Sequence, residues 1–234
     1  MNNDEKLSRA MRSVEAAVEE ARLAIQFHET WRPTVSDAAL LGRMGNSYAM
    51  HSFHIIRIAL RRELLLALTR IWDKDSKSIK LTWIEEFLKG NDLFDALVEH
   101  RAKKQNVQSS QHNAFRNALE EKRRSIRSLI QKYVSGDESY ILERLKTLRN
   151  EQLAHRQIAD PTSPEDTNHT NEEVEAFYQD TLEIIRQMYS LFYGTSFDLS
   201  ADVGGMYRHY AMFFWESARG EGTEGHPRYK KTGN

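Results

Sequence analysis

The chain has 234 residues and a nearly balanced charge, with 33 Lys and Arg against 34 Asp and Glu. Hydrophobic residues make up 40% of it, which is enough for a buried core and excludes a wholly disordered chain. The absence of cysteine excludes disulfide bonds, thiolate zinc sites, iron–sulfur clusters and cysteine nucleophiles.

Glycine and proline, which interrupt helices, are missing from long stretches of the chain. These stretches are rich in Ala, Leu, Glu, Arg, Lys and Gln, which favour helices, so the pattern predicts an all-α fold. In chain order, the predicted helices cover residues 4–31, 36–43, 47–72, a short segment ending before Gly90, a segment capped by Asn91 or Asp92, residues 110–134, a segment from Asp137 or Ser139 that ends by Pro161, residues 171–193 and residues 206–217.

The helix over residues 47–72 is apolar on much of its circumference, so we expect it to be the central core element. We expect one helical domain over residues 1–218, followed by a flexible C-terminal tail over residues 219–234. No segment has the apolar run of a signal peptide or the roughly 20 apolar residues of a membrane-spanning helix. We therefore expect a soluble cytoplasmic protein without a membrane partner.

Charge is unevenly distributed along the chain. Residues 101–132 hold nine Lys and Arg with two Glu, whereas residues 157–185 hold eight acidic residues and no Lys or Arg. The two segments could be solvated or packed surfaces that complement each other. The basic segment could alternatively form a positive surface that binds a polyanion.

The segment from Tyr140 to His155 has a mixed helical face. At about 100° per residue, one arc of the helix is apolar, and Arg149 and His155 fall on the same side. The apolar members of the arc are Ile141, Leu142, Leu145, Leu148 and Leu153. A guanidinium on a burying face is costly unless it meets an anion, a carboxylate or a wet cleft. Arg149 could therefore pair with a glutamate on a neighbouring helix while His155 completes the helix end, or both could belong to an active site.

The run from Arg149 and Asn150 to His155, with five residues between Arg and His, resembles the signature of the HEPN superfamily. That signature is Arg, four to six residues and then His, with Asn, Asp or His often directly after the Arg. The wider layout resembles the abortive-infection AbiU-like branch over about residues 10–195. Its upstream elements are a long central helix ending in Leu68-Thr-Arg-Ile-Trp72-Asp73 and a segment with Ser78-x-x-Leu81.

The resemblance implies an HEPN-like up-and-down helical bundle with long central helices, acting as an endoribonuclease without metal or cofactor. Such proteins are often toxins or antiviral effectors, with RNA as substrate and an active site between two copies of the bundle. The implied catalytic residues are Arg149, Asn150 and His155. A homodimer is therefore expected, and an antitoxin protein is a further partner that the resemblance leaves open.

The implied roles agree with the chemistry of these side chains. The 2′-hydroxyl of RNA is an internal nucleophile, so cleavage needs positioning, proton transfer and charge stabilisation. His155 would transfer a proton, since the unperturbed pKa of histidine lies near neutrality. Arg149 would hold the developing negative charge, and Asn150 would orient the phosphate.

Two other functions remain open from the residues alone. The same bundle could be a non-catalytic interaction or RNA-binding module that regulates a partner. A metal-dependent hydrolase could use His51 and His54, three residues apart on the long helix. A place in the core or in interhelical hydrogen bonds is the alternative for these two histidines.

Overall fold

The computed structural model describes residues 2–73, 81–148, 169–195 and 197–230, and these contain no β-strand. The helices are α1 (Asn3–Trp31), α2 (Pro33–Ser36), α3 (Ala38–Met44), α4 (Ala49–Ile71), α5 (Leu81–Lys89), α6 (Asn91–Lys104), α7 (His112–Val134), α8 (Ser139–Leu148), α9 (Asn171–Tyr193) and α10 (Gly204–Ser217). The predicted all-α fold class is confirmed, and the structure is a helical bundle of the HEPN-like type.

Local side-chain chemistry explains where α3 begins. The single helix predicted over residues 36–43 is divided into α2 and α3 at Asp37, which lies in the β region. Its Oδ1 atom accepts hydrogen bonds from the backbone amides of Ala39, at 2.8 Å, and Leu40, at 3.0 Å. This is the N-cap arrangement that satisfies the first amides of a helix. The N-cap of α6 is Gly90 rather than Asn91 or Asp92, because the helix already begins at Asn91.

The chain forms two compact units, of which the first comprises residues 1–21 and 66–198. In this unit α7 contacts α5, α6, α8 and α9. The core between these helices is aromatic and aliphatic, and several of its largest side chains are fully buried. They include Trp72, Phe94, Tyr133, Phe177, Tyr178 and Phe192. Since α7 contacts each of the other four helices, it is the central element of this unit.

The second unit comprises residues 22–65 and 199–234 and has its own core. Its buried cluster consists of Leu40, Met44, Phe53, Ala211 and Trp215. The rings of Phe53 and Trp215 meet edge to face, with centroids 5.6 Å apart. Trp215 also donates a hydrogen bond from Nε1 to the carbonyl of Thr30 at 2.9 Å, which satisfies its polar atom.

Residues 219–230 follow α10 and bond to the beginning of the second unit. The carbonyl of Arg43 accepts from the amide of Gly220 at 2.9 Å and from the hydroxyl of Thr223 at 2.6 Å. The carboxylate of Glu221 accepts from the amide of Tyr48 at 2.7 Å. The single domain over residues 1–218 and the flexible tail over residues 219–234 stay predictions.

Helix α4 is only partly the core element that its apolar composition predicts. Its C-terminal half is buried through Leu64, Leu65 and Leu68, whereas Ile55 and Ile58 in its N-terminal half are exposed. The expectation of a core helix along its whole length is therefore wrong for the N-terminal half, because periodicity records which residues are apolar and not what covers them. Within the described ranges, no helix is long and apolar enough to cross a membrane.

Candidate functional site

The predicted catalytic residues Arg149, Asn150 and His155 lie outside the described residues, and so does the chain from there to residue 168. Their roles therefore stay predictions. The structure does describe the helix that leads directly to Arg149 and the residues from His169 onward. The contacts of α8 and of the residues from His169 onward define the described part of the candidate site.

Helix α8 ends at Leu148, so Arg149 is the next residue of the chain. Ile141, Leu142 and Leu145 are buried, as their position on the apolar arc predicts. The side chain of Leu148 and the whole of Leu153 lie outside the described part, so the remainder of the arc is untested. The three buried residues fix the rotation of α8 about its axis, and with it the direction from which the chain enters the predicted motif.

One carboxylate links α8 to the start of α9. Glu173 completes a capping box with Thr170, in which its carboxylate accepts from the Thr170 amide at 2.9 Å and its own amide donates to the Thr170 hydroxyl at 3.1 Å. The same carboxylate lies 3.6 Å from the guanidinium of Arg144. That guanidinium also covers the ring of Tyr140 at 5.1 Å. The two helices that flank the predicted motif in sequence are therefore joined by an ion pair.

A second carboxylate, Asp180, joins α7 to α9. Its Oδ2 atom accepts from the Tyr133 hydroxyl and from Lys132 Nζ, each at 2.8 Å. Burial, reinforced by the hydrogen bond to Asp180, raises the pKa of Tyr133 well above its ordinary value, so the phenol stays a donor. Burial alone would lower the pKa of Lys132, but hydrogen bonds to Asp180 and Glu138 raise it above the ordinary value. Lys132 and Tyr133 therefore both stay protonated and donate hydrogen bonds to Asp180.

Trp72, the tryptophan of the upstream Trp-Asp pattern, lies next to this hydrogen-bonded group. Its ring meets those of Tyr133, at 5.6 Å, and Phe177, at 5.4 Å, and its Nε1 donates to the Thr181 hydroxyl at 3.1 Å. Trp72 therefore supports the side chains that hold Asp180.

Several cations of the basic segment have structural roles. Arg123 donates to the carbonyls of Leu88, at 2.6 Å, and Lys89, at 3.0 Å, at the C-terminal end of α5. Arg101 donates to the carbonyls of Ser190 and Leu191 near the end of α9. Positive charge stabilises the carbonyl end of a helix. The Lys132–Asp180 pair joins the basic segment to the acidic one, whereas the bonds of Arg123 and Arg101 go to backbone carbonyls outside the acidic segment.

His51 and His54 are both exposed on α4, so the expectation of a core position for them is wrong. The ring of His54 lies beside that of Phe53, with centroids 6.1 Å apart. Among the residues that the structure describes, no three His, Asp or Glu side chains come together as potential metal ligands. The histidine pair therefore lacks a third ligand within the described ranges.

His169 is a residue near the predicted motif that the sequence reasoning did not select. It is buried, and its Nδ1 atom lies 3.8 Å from Oε2 of Glu173. Its spacing of four residues from Glu173 is not a helix-face signal, because His169 precedes Thr170, the N-cap of α9. The imidazole thus belongs to the same group of polar side chains as Arg144 and Glu173, at the point where the described chain resumes.

Two sets of polar contacts connect the helices that lie before and after the motif in sequence. The Arg144–Glu173 ion pair joins α8 to α9. Asp180 joins α7 to α9 through Tyr133 and Lys132. Helix α8 ends at Leu148, directly before the first residue of the motif.

Comparison with known proteins gives one result on family membership. Neither the curated proteins nor the solved structures contain a protein that matches the chain. The model of the HEPN AbiU2 family, described as AbiU2, matches residues 8–214. This match includes most of α1, all of α2 to α9, most of α10 and the Arg149 to His155 motif. The chain therefore belongs to the AbiU2 family of HEPN proteins.

Proposed function

We propose that this protein is a metal-independent endoribonuclease that acts in the cytoplasm as a toxin or antiviral defence effector. The observation that carries the proposal is the family match over residues 8–214, which includes Arg149, Asn150 and His155 in the order of the HEPN signature. The buried apolar arc of α8 supports it, since the motif follows a helix that is fixed in the core.

In the proposed reaction, the 2′-oxygen of RNA bonds to the adjacent phosphorus while the bond from phosphorus to the 5′-oxygen breaks. The 2′-hydroxyl loses its proton and the departing 5′-oxygen gains one, which leaves a 2′,3′-cyclic phosphate and a 5′-hydroxyl. His155 moves these protons, because imidazole exchanges them near neutral pH. No electrons are exchanged, so the reaction needs no redox cofactor.

Arg149 and Asn150 act on the phosphate. Arginine keeps its charge at any physiological pH and presents a planar fork of donors that matches phosphate oxygens. In the transition state it compensates the negative charge that develops on those oxygens. Asn150 donates a hydrogen bond that fixes the orientation of the phosphate. Two copies of the chain bring two such sets together in a shared cleft, as in the family pattern.

The described framework explains how the chain can limit the motion of Arg149. The Arg144–Glu173 ion pair joins α8 to α9, and the Asp180 hydrogen bonds join α9 to α7. Misplacement of a catalytic group by about 1 Å can cost on the order of 100-fold in rate. Loss of these contacts is therefore expected to lower the cleavage rate without a change in the reacting groups.

The test is an RNA cleavage assay with EDTA, comparing the wild type with His155→Ala. We expect EDTA-resistant cleavage that falls by at least about 100-fold in the variant, because general acid–base catalysis contributes about that much or more. His51→Ala is the matched control, since it removes an exposed histidine from α4, and its rate should stay unchanged.

Other outcomes of this assay favour the competing functions. Cleavage that EDTA abolishes, together with loss of activity in His51→Ala, would support a metal-dependent hydrolase. Absence of cleavage by every variant on several RNAs would support a non-catalytic interaction module. Identification of the cyclic phosphate by mass spectrometry distinguishes attack by the 2′-hydroxyl from attack by water.

A further inference from the structure

Helix α10 is apolar on the side that faces solvent as well as on the side that faces the core. Its inner side is buried through Gly204, Ala211 and Trp215. Two polar contacts fasten it to the C-terminal end of α1: Trp215 bonds to the Thr30 carbonyl, and Arg208 Nε lies 2.9 Å from the carboxylate of Glu29. The orientation of α10 within the second unit is therefore fixed.

The outer side of α10 carries a continuous apolar stripe. Met206, Tyr210, Phe213 and Ser217 follow one another at steps of four, three and four residues, and Phe214 lies beside them. This is the spacing of the a and d positions at which helices pack together. The exposed fractions are 44% for Met206, 57% for Tyr210, 62% for Phe213 and 57% for Phe214.

The area of this stripe is that of an interface. A large apolar or aromatic side chain presents about 150–250 Å², so these four together expose roughly 450 Å². The largest apolar patch of a monomeric protein is typically about 300–600 Å², and such patches are often functional. A standard interface buries about 800 Å² on each partner, of which somewhat more than half is apolar. The stripe with its flanking residues has the size and composition of one side of such an interface.

We propose that the stripe on α10 binds the same stripe of a second copy of this chain, with the two helices antiparallel about a two-fold axis. A two-fold contact uses one surface twice, so the surface must complement itself. About an axis midway between Tyr210 and Phe213, each Tyr210 meets Phe213 of the partner subunit. The small side chain of Ser217 lies opposite Met206 of the partner subunit.

The charged residues beside the stripe select the antiparallel direction. His209 and Glu216 are seven residues apart and therefore lie on the same flank of the helix. In an antiparallel pair, equivalent flanks of the two helices face each other. The axis then places His209 opposite Glu216 of the partner subunit, and this contact occurs twice. The ring of Phe213 supports His209 in this position, with centroids 4.8 Å apart.

The first test is the oligomeric state of the full chain by sedimentation equilibrium, for the wild type and Phe213→Glu. We expect the wild type to be a dimer at micromolar concentration. The variant should raise the dimer Kd by at least about 30-fold, as for a central hot-spot residue. Ile58→Glu is the matched control, because it places the same charge at an exposed isoleucine on α4, and its Kd should stay within about threefold of the wild type.

The second test is a charge exchange across the predicted contact. His209→Glu alone should raise the dimer Kd by roughly threefold to tenfold, since it places two carboxylates opposite each other twice. Addition of Glu216→Arg should restore the wild-type Kd. Circular dichroism of each variant confirms that the helices are retained, which is expected because the substituted side chains are exposed.

Three results would overturn the proposal. A wild type that remains monomeric at about 100 μM, well above the Kd range of specific interfaces, would leave the stripe to a different protein. Equal Kd values for Phe213→Glu and the wild type would show that the dimer uses another surface. Failure of Glu216→Arg to restore the His209→Glu variant would exclude the antiparallel register. None of these measurements involves RNA, so loss of the nuclease proposal would leave their interpretation unchanged.

Discussion

Replacement of Tyr133 with phenylalanine removes one hydrogen bond between α7 and α9. Tyr133 is fully buried, and its hydroxyl donates to Asp180 at 2.8 Å. The ring stays in contact with Trp72 and Phe177, because phenylalanine has the same shape without the hydroxyl. The change therefore isolates the contribution of a single donor.

The magnitude follows from the charge of the acceptor. A hydrogen bond to a charged group contributes about 1.5–3 kcal/mol. Lys132 still donates to Asp180 once Tyr133 is changed. We expect the free energy of unfolding to fall by that amount. For a chain of this size, this corresponds to a decrease of about 3–12 °C in the melting temperature.

Thermal and urea denaturation, followed by circular dichroism, measure this change. Tyr48→Phe is the control, because Tyr48 is exposed and loses the same atom, and we expect its stability to change by less than about 0.5 kcal/mol. Equal stabilities for the two variants would refute the role of the Tyr133–Asp180 bond in the framework.

Two further predictions concern other parts of the chain. Gly194 has φ +82°, and a Cβ atom there would overlap the guanidinium of Arg101, so Gly194→Ala should lower the free energy of unfolding by at least about 1–2 kcal/mol. Gly42→Ala, in open space within α3, should instead raise it by about 0.5–1 kcal/mol in the same urea titration. Burial would raise the pKa of Glu29, but hydrogen bonds from His28 and Arg208 lower it below 4.5 overall. The resulting stability is present above pH 4.5 and is lost as pH falls through the lowered pKa. Glu29→Gln should therefore be less stable than the wild type at pH 7, and the difference should shrink as the pH falls below 4.5.

The positions of the long helices could be predicted from the sequence, whereas their surroundings could not. Gaps between glycine and proline residues predict α1, α7 and α9 nearly to the residue, since these residue types act on the local backbone. The same reasoning predicts the extent of α4 but not the exposure of Ile55 and Ile58. Burial depends on which elements pack nearby, and a single helix pattern holds no information on that.

The candidate site could also be predicted only in part from the sequence. The apolar arc of α8 follows from helix geometry, and the structure confirms it through Ile141, Leu142 and Leu145. The bond from Tyr133 to Asp180 joins residues 47 positions apart, so no local pattern could indicate it. The roles of Arg149, Asn150 and His155 stay predictions that rest on the motif and the family.

The position of Trp72 also bears on when this protein can fold during its own synthesis. Its hydrogen bond to Thr181 spans 109 residues, and its ring contacts connect the same distant parts of the chain. About three quarters of the polypeptide must therefore leave the ribosome before Trp72 can contact Thr181, and long-range contacts of this kind form slowly. Helix α8 leaves the ribosome before these contacts can form. The helices that pack around Trp72 therefore cannot assemble until translation is nearly finished. Any activity of the motif that depends on this packing would begin only when the protein is almost complete.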